Sequence, residues 1–244
     1  KSIYPNLTEA QYSPEGTANI TTSFNSNGYT TGTNENNATN TQTLASWTFR
    51  KAPGFFDVVE YTGDGNTSQT IAHSLGSIPG MIMVKCTSTG STTWRVYHRS
   101  LGATKAVFLD MVNAESTSVG HWNDTAPTST HFTVGVSNDV NTDTDTYVAY
   151  IFAHDDQQFG DDGDEAIIKC GSFTGGTHTE SLGFEPQWLL AKRTDSTGDW
   201  FLVDNMRGFL DKSQDSNNLT PNDDVDENTA WFSLTSDGFY YSSS

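Results

Sequence analysis

Cysteine is nearly absent. Cys86 and Cys170 are the only two in 244 residues, too few for the disulfide framework of a small secreted scaffold or for a thiolate zinc centre. Both are expected to be free and strand-borne. Basic residues are scarce too, with 12 Lys and Arg against 30 Asp and Glu, a formal charge of −18. A nonspecific grip on nucleic acid needs clusters of cations that displace counterions from phosphates, and an anionic membrane asks for the same. No nucleic-acid partner is therefore expected. No apolar run approaches the roughly 18–20 residues of a membrane-crossing helix, so no membrane insertion is expected. The chain opens on Lys1 rather than Met and runs out in Ser242-Ser243-Ser244, which reads as a piece of something longer. Helix formers are too sparse and scattered for a bundle.

What fills the chain instead is hydroxyl and amide polarity. Thr occupies 35 positions and Gly 21. Thr, Val, Tyr, Phe and Trp suit pleated surfaces, while Gly, Asn and Asp suit the turns between strands. The expected fold class is all-β.

Self-comparison gives the organisation. Leu75-Gly76-x-x-Pro79 recurs as Leu182-Gly183-x-x-Pro186, each followed by a short apolar run ending at Lys85 or Lys192, a Thr/Ser/Gly turn, and Trp94 or Trp200. Upstream, Tyr61-Thr62-Gly63 matches Phe173-Thr174-Gly175. The period is about 107 residues. At twice that offset, Ser23 to Tyr29 resembles Ser233 to Phe239; at about one period, Leu44 to Phe49 resembles Tyr147 to Phe152, an alternating strand that closes a unit. The expectation is tandem antiparallel β-sandwich units: 1–52 as closing strands of a partial unit, 53–155 as a complete unit, 156–165 as an acidic linker, and 166–244 as a unit without its closing strand. An open strand position invites another segment or another chain.

Within the units, Val58 to Tyr61 reads as a strand running into a Gly-rich turn. Met81 to Lys85 with Thr93 to Tyr97 reads as a hairpin, as does its counterpart starting at Leu189. Ser100 to Leu109 is the best candidate for a short helix.

Three groups of residues could carry chemistry. The six His residues show no spacing that demands convergence, and no Gly-x-Ser-x-Gly turn exposes a serine; no catalytic residue is expected. Asn141-x-Asp143-x-Asp145 offers alternating oxygen donors of the kind calcium takes, without the Gly and distant Glu of an EF-hand loop. Calcium is thus the only cofactor with candidate ligands, set against a plain solvated loop. Trp122, Asn123 and Asp124 lie in a polar stretch whose composition suits stacking on a sugar ring and hydrogen bonding to its hydroxyls, set against a Trp that pins a long loop to the sandwich. Trp94 and Trp200, at matching positions of the repeat, read as core or inter-sheet residues.

The strings Trp47-Thr-Phe-Arg-Lys-Ala-Pro-Gly-Phe55-Phe56, Trp94-Arg-Val-Tyr-His98-Arg99-Ser-Leu-Gly102, Trp122-Asn-Asp-Thr-Ala-Pro-Thr-Ser-Thr130 and Leu182 to Asp195 resemble repeated domains of structural and tail-fibre-like proteins of bacteriophages, particularly marine and cyanobacterial phages. The resemblance runs from Phe24 onward and departs at Cys86, where an Arg such as Arg193 is commoner. It implies a non-catalytic component of the virion surface that supports host attachment. The implied partners are other virion proteins, further copies of the chain (a trimer if it forms a fibre) and a host surface glycan. The rival expectation is a lectin-like carbohydrate-binding module or a secreted glycan-active enzyme with calcium-bound loops.

Overall fold

The computed structural model describes residues 1–12, 21–32, 45–209 and 216–242. The strands in chain order are β1 (Thr21–Asn25), β2 (Gly28–Thr31), β3 (Phe56–Thr62), β4 (Gln69–Ala72), β5 (Met81–Cys86), β6 (Arg95–His98), β7 (Lys105–Phe108), β8 (Ser116–Thr117), β9 (His131–Val134) and β10 (Thr146–Phe152). There follow β11 (His178–Ser181), β12 (Trp188–Lys192), β13 (Trp200–Asp204), β14 (Ser216–Asn218), β15 (Asn228–Ala230), β16 (Phe232–Thr235) and β17 (Gly238–Tyr241). Among the described residues, two single-turn helices, α1 (Val119–Trp122) and α2 (Asn138–Asn141), are capped by the hydroxyls of Ser118 and Ser137. The chain is all-β, and every strand pair among the described residues is antiparallel.

The largest sheet has the order β3-β10-β5-β6-β7-β8. β10 lies at its interior, Tyr150 opposite Val58 on one side and Met83 on the other. Period-two alternation sends the two sets of β5 and β10 side chains to opposite faces. Ile82, Val84, Tyr147, Ala149 and Ile151 join Ile71, Phe132, Val134 and Trp122 in a core closed by the β4–β9 ribbon and the two helical turns. Met81, Met83, Phe152 and Trp94 point the other way, into a second apolar layer that also contains Trp200 and Leu190. The β12–β13 hairpin supplies those last two residues. Its opposite face, through Leu189, Phe201 and Val203, packs on Phe232 and Phe239 of the β11-β17-β16 sheet.

Sheets therefore stack in layers, and the two halves of the chain share the middle core. Trp200 is 4% exposed, and its indole Nε1 donates to the Phe108 carbonyl at 2.7 Å, a bond between the halves. Trp94 makes the matching kind of bond to the Tyr4 carbonyl at 3.0 Å. Both are inter-sheet residues, as their placement in the sequence suggests.

Several local expectations fail for identifiable reasons. Within Ser100 to Leu109, Lys105–Phe108 is strand β7, because Ala106 and Val107 are buried in opposite cores, a requirement of period two. Cys86 ends β5, but Cys170 lies outside any strand, and both are free and buried. Leu44 lies outside the described residues, and Ala45–Phe49 form no strand. Phe49 instead packs edge-on against Phe152 and Trp188, and Trp47 lies over the Arg207 guanidinium. The hairpins β1–β2 and β16–β17 have the same local register, Phe24 opposite Tyr29 and Leu234 opposite Phe239.

Candidate functional site

The polar loops gather at one end of the large sheet, where β3 stops, β5 stops and β10 begins. Gly63 permits this crowding, since a Cβ there would lie 2.2 Å from the Thr142 carbonyl oxygen. Asn141 is buried at 1% exposure and fastens one loop to another. Its Nδ2 donates to Asp64 Oδ1 and to the Asn66 carbonyl, both at 3.1 Å, and its Oδ1 accepts from the Asp64 N–H at 2.9 Å. The Asn66 N–H, then its side chain and the Asn141 amide, hold the Asp64 carboxyl below the usual carboxylate range. Asp145 turns to a different loop, its Oδ1 accepting from Ser88 Oγ at 2.8 Å and Thr89 Oγ1 at 2.6 Å.

Asn141 and Asp145 are thus near in sequence but serve separate bridges, and Asp143 between them is exposed. The Asn141 oxygen is already committed to a backbone N–H. Among the described residues, no group of three or more His, Cys, Asp and Glu side chains is placed to hold a metal ion. Beside these loops lies an open groove of about 330 Å³ lined by Glu60, Tyr61, Thr62, Thr87, Thr146 and Gln11, rich in hydroxyls. The Tyr61 and Tyr147 rings stack at 5.1 Å under it, but their hydroxyls are spent on the Val140 and Asn138 carbonyls.

Trp122 does not face solvent. It is 2% exposed, packs edge-on against Tyr97 at 5.9 Å and donates from Nε1 to the Lys105 carbonyl at 3.1 Å. Its ring has no face to offer a sugar, so the pinning role is the one it performs. Asn123 and Asp124 follow it with left-handed backbones, φ 49° at each. Only Asp124 is fully out in the solvent, at the head of the Thr-rich loop that runs to His131.

A buried polar group that sequence reading missed lies between β5, β6 and β7. Lys85 is 0% exposed within an otherwise apolar strand, its Nζ donating to the Thr92 carbonyl at 2.5 Å. Desolvation lowers its pKa against the pull of Asp110. Arg95 pairs with Asp139 at 2.5 Å and lies over the Phe108 ring at 4.3 Å. Burial lifts the Asp110 carboxyl to about 6, and burial followed by the Arg95 charge pushes His121 down to about 4. At neutral pH His121 is an uncharged ring set edge-on against Phe108. A Lys inside an apolar run was the available signal, but the carboxylates that answer it come from distant loops. The arrangement fastens strands to loops and opens to no groove described above.

Along its whole length, residues 1–244, the chain matches the model of a domain of unknown function, DUF7483. It belongs to that family. No curated protein and no solved structure matches it. The family description adds no activity, so the geometry carries the functional reading.

Proposed function

We propose that the chain is a non-catalytic structural and adhesive component of a phage virion, tail-fibre-like or a surface decoration, built of tandem sandwich units of about 107 residues. It acts in several copies at the virion surface. One observation carries the structural half of this reading: the halves are locked back to back through a common apolar layer, with Trp200 of one half bonded to the Phe108 carbonyl of the other. Such a body serves as a stiff spacer. Two ionisable side chains, Lys85 and His121, are buried inside it. The phage resemblance supports the adhesive half, together with the Thr-, Asn- and Asp-rich loops gathered at one end.

Each loop contact with a host glycan is weak on this reading, and repetition over copies supplies the avidity. Strong negative charge keeps the copies soluble. The test presents the chain at high density on beads to a panel of marine cyanobacterial cells. Retention is expected for the dense array and not for single soluble copies, with the cell polysaccharide unchanged in length. Release of oligosaccharide, or no retention across the panel, would overturn the reading.

A further inference from the structure

β12 has one bare side. It pairs with β13 alone among the described residues, whereas β5, the strand matched to it by the sequence repeat, is flanked by β6 and β10. All six residues of β5 are buried; all five of β12 are only half-buried. The difference lies on the side where β10 runs in the first half.

Backbone directions on that side follow from the ladder. The Leu202 N–H donates to the Leu219 carbonyl at 3.0 Å and the Leu219 N–H returns the bond at 2.9 Å, so Leu202 points both its groups away from β12. Leu190 is opposite Leu202 and must likewise point away from β13. The Asn205 N–H donates to the Gln187 carbonyl at 3.1 Å, which places Gln187 on the inner phase and the alternate residues Trp188, Leu190 and Lys192 on the outer one. Their N–H and C=O groups therefore line the bare edge. At its start the buried Nε1 of Trp188 has no hydrogen-bond partner among the described residues. Ala45–Phe49 reaches only the start of this edge, where the Phe49 ring packs edge-on against Trp188; it makes no strand, and Trp47 lies at Arg207, so it supplies no ladder to β12.

We propose that the β12 edge is a strand-acceptor site, filled by an extended segment of a neighbouring virion subunit. The chemistry of the occupant is that of β10: apolar on both faces, with an aromatic opposite Leu190 and a small residue opposite Ala191, as Tyr150 and Ala149 stand opposite Met83 and Val84. It runs antiparallel to β12. Main-chain bonds to Trp188, Leu190 and Lys192 give the affinity, and the two apolar faces, towards Leu190 and towards Leu189 and Ala191, give the pattern. The inference rests on the tandem-unit reading above.

The test uses the full chain and a synthetic peptide with the sequence of Asp145–Ala153, carrying flanking lysines for solubility. Amide exchange at Trp188, Leu190 and Lys192 is expected to be fast in the free chain and slowed at least tenfold with peptide. A peptide with Pro at the Ala149 position is expected to bind at least tenfold more weakly, because Pro removes a ladder donor. In the Leu190→Pro chain, the lost N–H is the outward one, so the hairpin ladder is spared and peptide binding is expected to disappear. The proposal is overturned if these three amides are already protected in the free chain, if the peptide leaves them unchanged, or if the Pro peptide binds equally well. Bead adsorption does not involve β12, so the adhesive reading stands or falls separately.

Discussion

Trp200→Phe tests the lock between the halves most sharply. The substitution keeps an aromatic ring in the shared layer but removes the Nε1 donor to the Phe108 carbonyl and two ring carbons from a site only 4% exposed. The lost hydrogen bond is worth about 1 kcal/mol net. The two missing ring carbons, at about 0.8 kcal/mol each, cost roughly 2 kcal/mol more. The sum of about 3 kcal/mol corresponds to a fall in Tm of roughly 6–12 °C for a chain of this size. Differential scanning calorimetry should show that fall, with the β11-to-β17 half melting ahead of the first half once the bond is gone. Trp231→Phe is the control, because Trp231 is 45% exposed, and it should change stability by roughly 0.5 kcal/mol or less. A Trp200→Phe shift no larger than the control would refute the shared-core reasoning.

Protonation of His121 should destabilise the fold in acid. Its folded pKa of about 4 lies below the ordinary 6.5, so the unfolded chain binds the proton first and stability falls as pH drops from 6.5 towards 4, by about 3 kcal/mol. Urea titrations across that range should give a flatter profile for His121→Gln. Asp110, raised to about 6, titrates with the opposite sign in both proteins and cancels in the difference. Asn141→Ala removes the fastening between the Asp64 and Asn141 loops and should cost about 3 kcal/mol by urea denaturation, through several buried hydrogen bonds lost together. Because the Asn141 and Asp145 oxygens serve separate bridges, millimolar calcium or EDTA should leave Tm unchanged, and a calcium-dependent rise would contradict that geometry. Gly238→Ala would place a Cβ 1.9 Å from the Glu180 carbonyl oxygen, and amide exchange should show the β11–β17 ladder opened.

The all-β class and the main hairpins were legible because strand signals are local: Met81 to Lys85 and Leu189 to Lys192 are apolar runs bounded by turns, and each Trp stands a turn away. The position of β10 between β3 and β5 was not legible, since period two tells which face a side chain takes but not which neighbours its strand finds. Trp122 illustrates the same limit. Its polar neighbours suggested a surface, whereas a single helical turn between Ser118 and Asn123 swings the indole inward onto Tyr97. The Lys85, Arg95, Asp110 and Asp139 group escaped because its members come together only when three strands and two loops are assembled.

On the function proposed above, the chain is a structural body that works in several copies. Native mass spectrometry of the purified chain should therefore show a discrete multimer of the 26.6 kDa chain, held at low micromolar concentration. A 26.6 kDa monomer at every concentration would overturn the multi-copy proposal.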